Sequence, residues 1–231
     1  MICSACAGGV SPFQRGRKLA ALWHYLAFLT LAAIACLPCS ASQHMPCNSK
    51  SAAQVLASSR AMIDEGEYAS ALQCLPRAVR PKIPDSVFFE VAMLQCEAHT
   101  AVGDNAAALD ACMQAWGKQP RDSLVNLRLG NLYANAGNNS GAVVFFQTAI
   151  KSRPDSPIPR NNLALALQAL GRKEEAMQVF EKAMVETDAR AHGRSLVLTN
   201  LAVALPDEEE ERKMDLLEEA YVACRSRSEN M

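Results

Sequence analysis

Residues 123–156 read SLVNLRLGNLYANAGNNSGAVVFFQTAIKSRPDS, and the second of their three glycines, Gly137, separates two runs whose apolar side chains recur every three to four positions. That spacing puts the apolar groups of each run on one helical face, so the stretch reads as two amphipathic helices joined at the glycine. A residue just past a helix end commonly adopts the left-handed conformation. Glycine takes it nearly freely, whereas a residue with a side chain pays about 1–2 kcal/mol. The stretch that follows, NNLALALQALGRKEEAMQVFEKAM (161–184), repeats the design around Gly171 and contains no histidine, cysteine, serine or aspartate.

The design recurs along the chain. Gly66, Gly103, Gly137 and Gly171 are separated by 37, 34 and 34 residues. With each glycine placed at position 15 of a 34-residue unit, position 20 is Ala71, Ala108, Ala142 and Ala176, and position 27 is Ala78, Ala115, Ala149 and Ala183. Position 8 is Ser59, Cys96, Gly130 and Ala164, while position 24 is Leu75, Cys112, Phe146 and Phe180. Small residues at 8, 20 and 27 let backbones approach, and a large side chain at 24 fills the space so opened.

This pattern resembles the tetratricopeptide repeat, whose period is 34 residues and whose signature ends in proline. Unit 123–156 carries the resemblance through Leu129, Gly130, Tyr133, Ala142, Phe146, Ala149 and Pro154, and departs at position 4, where Asn126 replaces the frequent tryptophan. Units 52–85, 89–122 and 157–190 follow, the first with Pro76 inside its second helix, where a kink is expected. A degenerate fifth unit spans 195–224: TNLAVAL (199–205) echoes NNLALAL (161–167), no glycine occupies its turn, and Asp207 to Glu211 open its second helix, where negative charge complements the helix dipole. A polar last repeat caps such an array. The resemblance implies an all-α, right-handed superhelical array of hairpins over 52–224, preceded by a linker at 42–51 and followed by a short tail at 225–231.

Residues 1–41 differ in kind. Arg15, Arg17 and Lys18 precede Leu19 to Leu37, nineteen residues without formal charge, and small residues lead to Ala41. This reads as a secretory signal cleaved after Ala41. Retention as an anchor is a second reading, since the stretch nearly spans a hydrocarbon core of roughly 30 Å; lipidation at Cys36 is a third. Each predicts that the array is exported to a periplasmic, envelope or extracellular compartment, with membrane contact only through this segment if it is uncleaved or lipidated.

The chain has 231 residues, half of them apolar, and a net charge of -1 with the signs interspersed. No basic face is available to neutralise a phosphate backbone, which argues against nucleic acid. His24, His44, His99 and His192 are scattered, and Cys3-x-x-Cys6 has no partner pair. No metal spacing, phosphate loop or catalytic constellation emerges, so the expectation is a non-catalytic chain with no cofactor and no small-molecule substrate.

What remains is binding. The resemblance implies that an extended peptide lies against positions 2, 5, 6, 9, 12 and 13 of the first helices. Asn131, Asn162 and Asn200 fall at positions 9, 6 and 6 of successive units, and an amide both donates and accepts, so the three are candidates for a ladder on a peptide backbone, solvated helix residues being the other reading. Leu127 and Leu165, with Arg60 and Glu97, complete the candidate groove, which is largely apolar and suits a hydrophobic peptide or helix. Gln168 also falls toward it. The resemblance further sets positions 8 and 24 face to face, making Cys96 and Cys112 candidate disulfide partners, although two small buried thiols are the preferred reading; Cys47 with Cys74 is a weaker pair. The function expected is an exported interaction scaffold, an assembly or adaptor factor. A self-associating structural repeat protein and a non-catalytic subunit that positions an enzyme are the alternatives.

Overall fold

The computed structural model describes residues 51–79, 83–186 and 193–228. The expectations for residues 1–41, for Cys47 and for His192 lie outside them. The described residues belong to one compact unit, His44–Met231, and every element among them is helical: α1 (Ala52–Asp64), α2 (Tyr68–Cys74) with a 3-10 turn (Leu75–Ala78), α3 (Asp85–Ala101), α4 (Asn105–Lys118), α5 (Ser123–Asn135), α6 (Asn139–Ser152), α7 (Pro157–Ala169), α8 (Lys173–Glu186), α9 (Arg194–Ala204), a 3-10 turn (Asp207–Glu209) and α10 (Glu210–Ser228). The helices pair in sequence as hairpins, and each hairpin packs on the next. This is a solenoid of helical hairpins.

Local chemistry sets the hairpin turns. Gly137 has φ +77°. Its amide bonds to the Ala134 carbonyl and that of Asn138 to Tyr133, the pattern by which a left-handed residue satisfies the last carbonyls of a helix. The next residue restarts the chain: the Asn138 side chain accepts from the Gly141 amide at 2.9 Å, and Asp104 does the same for Ala107 at 3.1 Å in the preceding hairpin.

The repeat columns form the core. All eight alanines at positions 20 and 27 are fully buried (0% exposed), and Leu75, Cys112, Phe146 and Phe180 at position 24 are equally inaccessible. Among the described glycines the closest approach is at Gly130, where a Cβ would run into the Phe146 ring. Replacing Ala176 with valine adds two methyl groups where no space exists; a loss of about 1–3 kcal/mol is expected in urea denaturation, and an unchanged midpoint would show that the junction can give.

Three local details differ from the repeat pattern. Pro76 does more than kink its helix: α2 stops at Cys74 and a 3-10 turn with the proline in its first positions completes the unit, because proline has no N–H to continue the ladder. Helix α3 starts at Asp85, four residues ahead of the repeat register, directly after the extended Pro84 (ψ 147°). In the last hairpin Leu201, Ala202 and Leu205 are buried 38 residues after their counterparts Leu163, Ala164 and Leu167, but Leu216 and Ala220 are buried 40 residues after Ala176 and Phe180, so the glycine-free turn is two residues longer. The acidic run there is partly committed. Asp207 accepts from Lys213 at 2.8 Å, a hydrogen bond that holds its carboxyl below the usual carboxylate range, and Glu209 accepts from Arg212.

Candidate functional site

A cleft of about 410 Å³ opens where the first helices of three successive hairpins meet. Thr100 of α3, Asn131 and Asn135 of α5, Asn139 of α6, and Asn162 and Leu165 of α7 line it, with Phe146 and Ala166 behind them. Its wall is therefore amide and hydroxyl, and its floor apolar. Asn135 and Asn139 make no side-chain hydrogen bond to the described residues.

The asparagines are coupled. The Asn200 side-chain amide donates to Asn161 Oδ1 at 2.7 Å, that of Asn161 donates to Asn162 Oδ1 at 3.2 Å, and that of Asn162 donates to Asn131 Oδ1 at 2.8 Å. Every bond in this relay runs the same way, from α9 through α7 to α5. Asn161 is almost wholly buried (1% exposed), and the relay satisfies it. Asn131 is the terminus: its oxygen accepts, and both of its amide hydrogens remain for another group. Successive amides polarise one another, which strengthens the last donor. The cleft is thus primed to donate to a carbonyl oxygen.

Farther toward the N-terminus the same seam between first helices is closed by ion pairs. Arg60 meets Glu90 at 2.6 Å, and Arg128 meets Glu97 at 2.8 Å. In each case position 9 of one unit pairs with position 2 or 6 of the next, as Asn131 pairs with Asn162. The Arg60 pair is exposed on both sides, so it contributes little to stability, about 0–1 kcal/mol.

The structure therefore separates the residues singled out in the sequence. Asn131, Asn162 and Leu165 meet in the cleft. Asn200 does not line it, and acts only through the buried Asn161. Leu127 is half-buried against the core instead of open to the groove. Arg60 and Glu97 are engaged with neighbouring hairpins. Gln168 lines a separate cleft of about 500 Å³ beside Val203, Leu205 and Pro206. His99 approaches the Asp104 carboxylate at 3.7 Å. Cys96 and Cys112, preferred above as two thiols, are joined as a disulfide with Cα atoms 5.1 Å apart, and Cys74 is also disulfide-bonded. Cys224 is free and exposed.

Thr100, Asn135, Asn139 and Asn161 were not legible as site residues. The asparagine doublets at 138–139 and 161–162 were the signal that could have marked two of them. Position 4 was another omission. Asn126, where tryptophan is frequent in such repeats, donates to the carbonyls of Pro120 and Asp122 at 2.9 and 2.7 Å, and Arg160 donates to the Pro154 carbonyl and to Glu186. In both units a buried polar group ties a first helix to the terminal proline of the unit before it; in the other units Val55, Ala92 and Leu198 fill that slot as apolar side chains.

Comparison with known proteins agrees with this geometry. The tetratricopeptide repeat family model matches residues 127–191. Among solved structures, MamA is similar over 74% of this chain and 96% of its own, with 11% identity and a TM-score of 0.59. A double mutant of MamA covers 78% and 97% at 15% identity and a TM-score of 0.62. YrrB, described as a TPR protein with an unusual peptide-binding site, covers 76% and 88% at 16% identity and a TM-score of 0.57. At these identities the likeness is one of fold. No match occurs among curated protein sequences. Taken with the repeat columns and the hairpin turns, the family match identifies residues 127–191 as tetratricopeptide repeats, and the likeness to solved structures shows that the described residues share the fold of such arrays.

Proposed function

We propose that this protein is an exported, non-catalytic interaction scaffold that holds an extended peptide segment of a partner protein in the amide-lined cleft between α3, α5 and α7. The observation that carries the reading is the one-way asparagine relay ending at Asn131. It presents N–H donors to a peptide carbonyl, with the exposed Leu165 beside it to receive an apolar side chain. A peptide backbone offers carbonyls at a regular interval whatever its sequence, and side-chain contact with the apolar floor then sets preference. Repeats of this kind generally serve protein–protein interaction, which agrees with the chemistry of the cleft. Export is supported by the basic and apolar N-terminal pattern and by the disulfides, which persist in oxidising compartments.

The test is selection from a displayed peptide library with the purified protein, followed by titration of the selected peptides. Wild type is expected to select sequences with an apolar residue. Asn131→Ala with Asn135→Ala should weaken them about tenfold or more, since each hydrogen bond contributes about 0.5–1.5 kcal/mol. Equal affinity of wild type and the double variant would remove the cleft from the binding mechanism.

A further inference from the structure

The disulfide at Cys74 has its other half outside the described residues. Cys96 and Cys112 hold each other, and Cys224 is free. Because Cys74 is disulfide-bonded, its partner is one of the five cysteines that precede Ser51: Cys3, Cys6, Cys36, Cys39 and Cys47. The bond falls where the first hairpin is cut short. Cys74 is the last residue of α2, which has seven residues before the turn that contains Pro76, against fourteen in α4, α6 and α8. Its side chain is buried, with the sulfur 4.0 Å from that of Met62 on α1. A segment bonded to it is therefore held against this hairpin.

We infer that the partner is Cys47, and that the bond straps the linker 42–50 to the first hairpin once the chain is exported. Of the five, Cys47 alone falls in the compact unit His44–Met231, and it alone remains if the leader is removed after Ala41. Its connection to the hairpin is also the shortest, and shorter loops close at lower entropic cost. The reach suffices. Helix α1 has thirteen residues and Cys74 is the seventh of the antiparallel α2, so the start of α1 stands about 9 Å farther along the hairpin and about 8–10 Å across it. The four residues from Cys47 to the extended Ser51 span up to about 14 Å, and a disulfide adds about 5.5–6 Å between Cα atoms. Forming the bond is an oxidation: the two thiols together give up two protons and two electrons to a donor disulfide of the export compartment, which becomes two thiols. In a reducing cytoplasm both cysteines stay thiols, so the first hairpin is completed only on export. The inference shares the expectation of export with the functional reading and is otherwise independent of the cleft, which lies on other helices.

Fragment mapping of the full chain, expressed with its own leader in an exporting host and blocked with N-ethylmaleimide before any reductant is added, tests it. Trypsin is expected to release fragment 61–77 bonded to fragment 42–50, with Cys96 and Cys112 together in fragment 83–118. The mature chain, denatured but unreduced, should carry one maleimide label, at Cys224, and Cys47→Ser should carry two, the new one at Cys74. The same variant should exchange the amide hydrogens of α1 and α2 about fivefold faster or more, with those of α6 to α8 unchanged. Fragment 61–77 with a free thiol, or bonded to a cysteine before Ala41, overturns the pairing. If the leader is retained, fragment 19–50 takes the place of 42–50, and the bond must survive Cys36→Ser with Cys39→Ser; its loss there overturns the pairing too. Exchange in α1 and α2 that does not respond to Cys47→Ser overturns the strap.

Discussion

Phe146→Ala is expected to destabilise the protein by about 3–5 kcal/mol, the usual range for deleting a buried aromatic ring. The upper part of that range applies here because the ring lies directly over Gly130, which has no side chain to move into the void; a Cβ there would collide with the ring. Phe146 is also part of the core that runs from α6 to α10, so its loss weakens the junction between hairpins. Arrays of this kind are held by each hairpin and its neighbours, and a weak middle hairpin uncouples the ends. Urea denaturation followed by circular dichroism should therefore show a lower midpoint and a broadened or divided transition. A double-mutant cycle sharpens the test. Gly130→Ala alone should destabilise, since the ring blocks the new methyl group. In the Phe146→Ala background the same change should stabilise, because the methyl fills part of the void and alanine favours a helix over glycine by about 1 kcal/mol. A Gly130→Ala effect of the same sign in both backgrounds would refute the packing account.

The second large effect is expected at Cys96 and Cys112. They occupy positions 8 and 24, the positions held by Gly130 with Phe146 and by Ala164 with Phe180 in the hairpins that follow. In the second hairpin a covalent bond stands where the third and fourth use a ring packed on a small residue. The bond closes a loop with a sequence separation of 16. By the chain-entropy argument, removing it costs about 3 kcal/mol. Cys96→Ser with Cys112→Ser should lower the thermal midpoint by an amount consistent with that loss. Cys96→Ala with Cys112→Phe, which rebuilds the Ala164–Phe180 pair, should recover much of it. Mapping under non-reducing conditions checks the premise: failure to find Cys96 linked to Cys112 in the native protein would overturn it. Substitution is the better probe than a reducing agent, because Cys74 is disulfide-bonded as well.

These two sites show what kind of information was readable before any coordinates. The pairing of positions 8 and 24 followed from the repeat register together with the family resemblance, because small against large at a fixed offset is a property of the hairpin itself. That the second hairpin meets the requirement with a bond was not readable, since two buried thiols satisfy the same pattern. The turn glycines were legible because a helix end is a local event. The break at Cys74, ahead of Pro76, was only partly legible: proline predicts a disturbed helix, but where the chain resumes depends on what packs around it. The candidate groove was the least legible. Asn131 and Asn162 could be assigned by register, yet Leu127 at a groove position turned toward the core, and Asn161, at a position with no expected role, proved to be the link between Asn200 and Asn162.

By itself the sequence determined that this protein is an array of helical hairpins, where the four glycine-marked hairpins turn, and which small and large side chains fill the repeat columns of its interior. Those features depend on helical periodicity and on the steric limits of a single residue, both of which act over a few neighbours. Only the tertiary structure decided which groove side chains are left to meet a partner. Arg60 and Glu90, Arg128 and Glu97, and Asn162 and Asn131 lie 30 or 31 residues apart, and Asn200 and Asn161 lie 39 apart. Whether such groups meet depends on the angle at which one hairpin stacks on the next, and that angle is the joint result of all the packed side chains between them.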